Sequence, residues 1–243
     1  MSRTTPAARL VQMASAYYRG AGMFAWRFAQ GKLSGDPMFT AILARDLLAG
    51  RARILDLGCG QGLLAAWLLA ARALYTSARD WPHGWPPPPR FESYSGIEIN
   101  LSEVARARHA FALDPGAAVQ VVHADIRVAD YPSADAVVIM DVLHYLDYTA
   151  QERVLQRVRQ ALAPQGLLLL RIGDAAGGAG FVLSKAVDSA IALVRRRRWV
   201  PLKCRALREW QALLAGCGFS AWHALPMSAG TPFVNVLLRA EVA

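Results

Sequence analysis

Apolar positions in the first fifty residues recur at the helical period. Leu10, Val11, Ala14, Tyr17 and Tyr18 form one stripe, and Gly20 and Gly22 break it. The pattern predicts a second helix over 23–30 and a turn over 31–37. Asp36-Pro37 then starts a third helix, over 38–48, which Gly50 closes. From Arg53 the pattern changes to short apolar runs alternating with helical ones. Strands are expected at 53–57, 94–99, 119–123, 136–140, 167–172, 219–225 and 233–240. Helices are expected at 63–73, 102–112 with Ser102 as cap, 151–162, 181–195 and 207–215. Strands alternating with helices predict an α/β fold: a seven-stranded, mostly parallel sheet covered on both faces. The last two strands have no helix between them, so a C-terminal antiparallel hairpin is expected at one edge.

The expected organisation is one domain over 1–243 with a helical cap at 1–50 and two insertions. The first insertion, at 75–92, carries Asp80-Trp81-Pro82-His83-Gly84-Trp85 and four consecutive prolines at 86–89. Such a run forbids helix and central strand and favours polyproline II. The second, at 176–206, is an apolar helical segment ending in Arg195, Arg196, Arg197 and Arg198.

With 54% hydrophobic and 19% charged residues, the composition excludes intrinsic disorder for the bulk of the 243 residues. The net charge of +9 favours acidic partners without choosing among them. Three cysteines, at 59, 204 and 217, lack the spacing of a disulfide framework or zinc site and fit a reducing cytoplasm. Gln12 and Arg19 interrupt the first apolar stretch, so no signal peptide is expected. No run approaches the roughly 18 apolar residues of a spanning helix. The expected location is cytoplasmic, with contact to the inner membrane surface an option.

The chemistry concentrates in Ile54-Leu55-Asp56-Leu57-Gly58-Cys59-Gly60-Gln61-Gly62, which follows a strand and opens a helix. Glycines there let backbone pass close beneath a ligand, and the helix N-terminus adds unpaired N–H groups. A dinucleotide fingerprint needs GxGxxG, and Leu63 stands where its third glycine falls. Asp56 would repel a pyrophosphate and suits a cationic ligand.

This stretch resembles the first motif of the class I S-adenosylmethionine-dependent methyltransferases, a Rossmann-like family. Gly96-Ile97-Glu98-Ile99-Asn100 is similar to the family's second strand, His123-Ala124-Asp125-Ile126 to the end of its third, and residues 135–146 (DAVVIMDVLHYL) to its fourth strand and exit. Ala163-Pro164-Gln165-Gly166-Leu167 resembles the turn into its fifth strand. The interval from Gly62 to Glu98 exceeds the family's by about the length of the Pro-rich insertion. The resemblance implies S-adenosyl-L-methionine as cofactor, with Asp56, Gly58, Gly60, Gly62, Glu98, Ile99, Asp125, Ile126 and Met140 as binding residues. Glu98 would accept from both ribose hydroxyls, Asp125 would receive the adenine amino group, and Ile126 would pack on the ring.

Methyl transfer from a sulfonium is an in-line displacement, so the protein mainly aligns the nucleophile. His144, after the fourth strand, is the candidate general base, because its ordinary pKa lies near the working range; a plain polar contact is the competing reading. Tyr17, Tyr18 and Tyr145 are candidate substrate residues, with Phe24, Trp26 and Phe28 as further aromatic wall and Arg27 or Lys32 as partners for the methionine carboxylate. His83, His109, His123 and His223 lack ligand spacing, so no metal is expected. The leading expectation is methyl transfer to a small apolar or aromatic acceptor, free or on an acidic carrier protein. Arg195 to Arg198 would dock that carrier or an anionic membrane surface. The alternatives are an RNA methyltransferase, against which no Asn-Pro-Pro-Tyr-type motif follows the fourth strand, and a non-catalytic cofactor-binding subunit.

Overall fold

The computed structural model describes residues 5–77, 81–112, 114–173, 202–227 and 235–242. The chain divides into two compact units, Met1–Ala129 and Asp130–Ala243.

The first unit begins with three helices: α1 (Pro6–Ala16), α2 (Met23–Gly35) and α3 (Pro37–Ala44). Thr5 caps α1 through its hydroxyl, and Gly22, at φ 104°, separates α1 from α2. α2 runs through the expected turn at 31–37. Its buried stripe, Ala25, Ala29 and Leu33, continues at helical spacing, while Gly31 lies on the exposed side where packing asks nothing of it. Asp36 caps α3 by accepting from the Met38 N–H at 3.0 Å, with Pro37 at the first helical position. α3 stops at Ala44 rather than 48. Asp46 adopts φ 51°, and Leu47 and Leu48 reach the interior from a turn instead of a helix.

Next come β1 (Arg53–Leu57), α4 (Leu63–Thr76), β2 (Ser93–Glu98), α5 (Leu101–Phe111) and β3 (Val119–His123). The strands pair in parallel in the order β3-β2-β1. α4 is buried almost all round from Leu63 to Ala71. Its Trp67 donates to the Phe39 carbonyl oxygen at 2.8 Å and meets the Phe39 ring edge-on, which fixes α3 against α4. Asn100, not Ser102, caps α5: its side-chain oxygen accepts from the Ser102 N–H at 3.0 Å and the Glu103 N–H at 3.4 Å. Asparagine is as good a cap as serine and stands one residue before the first helical one. Residues 81–92 carry no helix or strand; Trp81 meets both Tyr75 and Trp85 edge-on.

The second unit holds β4 (Ala134–Met140), α6 (Tyr148–Ala161), β5 (Leu162–Gly173), α7 (Leu207–Gly216), β6 (Phe219–Pro226) and β7 (Asn235–Val242). β4 and β5 are parallel, and β5 continues through β7 to β6 in antiparallel pairs. The C-terminal hairpin is therefore present, with β6 outermost. β5 starts at Leu162, five residues early, across a register shift opposite 134–136. The helix expected at 181–195 and the cluster Arg195 to Arg198 lie outside the described residues. Among the described residues, no helix is long and apolar enough to cross a membrane.

Asp36 is both the α3 cap and the partner of Lys32 at 2.9 Å. Asp36→Ala should lower stability by about 1 kcal/mol, the usual worth of a cap, measured as a shift in the urea midpoint at constant slope.

Candidate functional site

The turn between β1 and α4 is shaped by left-handed backbone. Gly60 has φ 57° and Gly62 φ 80°, values that side chains with a Cβ rarely adopt. Space repeats the demand. A Cβ on Gly60 would lie 2.8 Å from a Glu103 carboxylate oxygen, and one on Gly62 would lie 2.7 Å from the Phe111 ring. The Gly58 N–H donates to the Ile97 carbonyl oxygen at 2.7 Å, tying the turn to β2.

The Gly60 N–H also donates to Glu98 Oε2 at 3.0 Å, and the Asn100 N–H donates to Oε1 at 2.7 Å. Glu98 is thus a buried carboxylate aimed by two backbone donors, one from the glycine turn and one from the cap of α5. Asp56 and Glu103 are buried near the same turn. Burial pushes the Asp56 carboxyl up to about 7; the hydroxyl of Tyr94, which donates to it, pulls the other way, and Glu98 adds to the rise. The same acids and burial push the Cys59 thiol well up, so it is held protonated. A turn with this many acids favours a cation and disfavours a phosphate.

Asp125 lies past β3, half-buried. Arg127 Nε donates to its two oxygens at 3.1 and 2.9 Å, which holds its carboxyl below the usual range. Ile126 is buried and Ile99 is exposed. At the end of α1 the two tyrosines part. Tyr17 packs on Phe111, and its hydroxyl donates to Asp114 at 3.4 Å. Tyr18 is fully enclosed and donates to the Gln61 carbonyl oxygen at 2.9 Å. Phe24 stays exposed, stacked on Phe28 with Arg106 over its face, and Arg27 lies over the Trp26 ring.

In the second unit the chain leaves β4 through half-buried Met140 and Asp141, the latter at φ 57°. Arg171, only 3% exposed on β5 opposite Met140, holds the Asp141 carboxylate with two nitrogens. Such fork-to-carboxylate pairing offsets the strain of a left-handed aspartate. His144 is buried. Burial and Arg171 lower its pKa below the ordinary 6.5 while Asp141 opposes, so the ring is neutral near pH 7. Its Nε2 is enclosed without a hydrogen-bond partner, and Tyr145 tilts against the ring at 4.3 Å.

Fully buried Gln151 fixes this exit loop. Its Nε2 lies 3.1 Å from the carbonyl oxygens of both Leu143 and Leu146 and 2.7 Å from that of Lys203, and its Oε1 accepts from Arg205 at 2.8 Å. The Lys203 N–H donates to the His144 carbonyl oxygen at 2.8 Å.

Residues 55–168 match the family model of a methyltransferase domain. The match runs from β1 to β5 and takes in the glycine turn and Glu98. The chain is 31% identical over 134 residues to carboxy-S-adenosyl-L-methionine synthase of Chromohalobacter salexigens, covering 55% of this chain and 44% of that protein. It spans about half the length of the curated relatives it matches, 44% and 55% for two of them. An O-methyltransferase family protein from Burkholderia thailandensis superposes with a TM-score of 0.64 at 18% identity, over 99% of this chain and 63% of that one. Magnesium protoporphyrin IX methyltransferase from Synechocystis PCC 6803 gives 0.60 at 16% identity, over 94% of each chain. These likenesses show the fold of the methyltransferase domain: Rossmann-like, with a mostly parallel sheet and antiparallel C-terminal strands.

Within the first unit, the structure gathers Asp56, Gly58, Gly60, Gly62 and Glu98 around one turn, with Tyr18 behind it. It places His144 and Tyr145 in contact in the second. Four polar residues escaped the sequence reading: Gln61, Tyr94, Gln151 and Arg171. Arg171 carried a signal, since a lone arginine inside Leu167–Ile172, read as a buried strand, demands a partner. The others looked like ordinary surface or strand residues.

A carboxyl with a raised folded pKa keeps its proton in the native chain after the unfolded chain has lost it. Between 3.8 and about 7, stability therefore falls as pH rises through this group. Asp56→Asn should gain stability relative to the unaltered chain between about pH 5 and about pH 8, read by denaturant titration at both ends.

Proposed function

We propose that the chain transfers a methyl group from S-adenosyl-L-methionine to a small apolar or aromatic acceptor. The observation that carries this reading is the Glu98 carboxylate, held at the end of β2 by the Gly60 and Asn100 N–H groups, within a methyltransferase domain. A carboxylate so held suits a vicinal diol, because its orientation is fixed before the ligand arrives. The left-handed glycines let the turn pass close against Glu103 and Phe111, and buried Asp56 suits a ligand carrying positive charge. In this reading Asp56, Gly58, Gly60, Gly62, Glu98, Ile99, Asp125 and Ile126 of the first unit hold the cofactor, and Asp125 shares its carboxylate between Arg127 and the adenine amino group. When bound, the cofactor supplies an electrophilic methyl on an excellent leaving group.

The chain's own contribution is orientation, water exclusion and one proton. Neutral His144 accepts the proton of an acceptor hydroxyl at Nε2, the atom the fold leaves without a partner. Tyr145 stands beside that ring. In the first unit, half-buried Tyr17 packs on Phe111 near the cofactor turn, and fully enclosed Tyr18 supports the turn from behind instead of lining the acceptor. Support for a hydroxyl acceptor comes from the neighbour titled an O-methyltransferase family protein, and support for the cofactor from the Synechocystis enzyme described with bound SAH. Arg195 to Arg198 would serve an acidic carrier protein or anionic membrane surface.

S-adenosylhomocysteine at about 100 times its Kd should add about 2.7 kcal/mol of stability, seen as a rise in Tm. Glu98→Ala should weaken its binding by about 1–3 kcal/mol in a calorimetric titration. Unchanged Tm at millimolar ligand, with the chain folded, would remove the cofactor assignment.

His144→Gln should abolish most turnover in a panel of phenolic acceptors followed by S-adenosylhomocysteine release. Because the His144 pKa is lowered from 6.5, the unaltered chain should keep more than half of its full rate at pH 6.5. A rate that halves there would point to a base with an unshifted pKa.

A further inference from the structure

One residue of the cofactor turn, Gln61, is bonded to both N-terminal helices. Its carbonyl oxygen accepts from the Tyr18 hydroxyl at 2.9 Å, at the end of α1. Its side-chain Nε2 donates to the Ala25 carbonyl oxygen at 3.1 Å, in the first turn of α2. Both bonds are buried, where an amide or hydroxyl without a partner is costly. The preceding residue, Gly60, gives its N–H to Glu98. Hydrogen bonds from the end of α1 and from α2 thus meet at Gln61, which the backbone joins directly to Gly60 and so to the carboxylate proposed to hold the ribose.

Packing alone does not explain Gln61. Its Oε1 is enclosed without a hydrogen-bond partner, so an apolar side chain of equal size would relieve an unsatisfied atom. What the glutamine gains is the link to α2. The Phe111 ring of α5 also closes on Gly62, and Tyr17 at the end of α1 packs on that ring. The turn is therefore gripped between α5 and the two N-terminal helices.

We propose that Tyr18 and Gln61 are positioning residues: they latch α1 and α2 to the cofactor turn, so that the docking of these helices sets how firmly Gly60 and Glu98 hold the cofactor. This rests on the cofactor site proposed above. Neither residue touches the reacting atoms. The latch gives the N-terminal helices a direct role in cofactor affinity, separate from any role in lining the acceptor site.

The test compares the unaltered chain with Tyr18→Phe, which removes one oxygen atom, and with Gln61→Met, which cuts the arm to α2. Amide exchange is followed at Gly60 and Gly62 without ligand, and S-adenosylhomocysteine Kd is measured by calorimetry. Both variants should exchange faster at these amides and bind about five- to tenfold more weakly, as loss of one buried hydrogen bond predicts. A lowered Tm with unchanged exchange at Gly60 and unchanged Kd would make the bonds merely structural and overturn the latch. If the unaltered chain fails to bind S-adenosylhomocysteine, the cofactor reading falls. The ligand-free exchange arm then decides by itself whether Tyr18 and Gln61 hold the turn.

Discussion

Burying the Glu98 carboxylate is the constraint from which the first unit follows. A buried charge without donors is too costly to keep, so the fold must aim N–H groups at it. Asn100 provides one from the start of α5, and Gly60 provides the other. Residue 60 takes a left-handed conformation at this bond, and its missing Cβ leaves room for Glu103. The same asparagine caps α5 with its side chain. Strand end, turn and helix start are therefore one hydrogen-bonded unit around a single carboxylate.

Four acids in the chain are handled differently, and the differences have a chemical direction. Asp141 is held by a buried arginine, and Asp125 by a more exposed one. Asp56 has a neutral partner, the Tyr94 hydroxyl, and burial lifts its pKa to about 7. Glu98 relies on backbone donors. At the glycine turn, the donors to Asp56 and Glu98 include neutral ones: the Tyr94 hydroxyl and the Gly60 and Asn100 N–H groups.

In the second unit the corresponding organiser is Gln151. An amide can give and accept at once, so one buried side chain gathers the carbonyl oxygens of Leu143, Leu146 and Lys203 and the Arg205 guanidinium. The loop that carries His144 is thereby fixed by neighbours, although its sequence has few residues with strong local preference. Neutral His144 follows from enclosure and from the guanidinium of Arg171 nearby.

Alternating apolar runs and glycine spacing determined the order of the described strands and helices, the glycine-rich turn and the C-terminal hairpin, because each is written in local periodicity or in a motif a few residues long. Asp36-Pro37 was equally legible, since a cap and a fixed φ act within one turn of helix. Gly31 misled the reading: a glycine on the exposed side of α2 breaks nothing when Ala25, Ala29 and Leu33 bury the other side. Ser102 misled it too, because two good caps lay close together and only the path of β2 selected Asn100. The roles of Tyr18, Gln61, Tyr94, Gln151 and Arg171 were decided by tertiary structure alone. Each depends on a hydrogen-bond partner brought close by folding from tens of residues away, and a side chain's own sequence neighbourhood holds no record of what will face it. The sequence therefore determined where the backbone would bend and which residue types stood at the turn. Only the folded chain decided which polar atoms would be shut away from water, and so which partners they had to find.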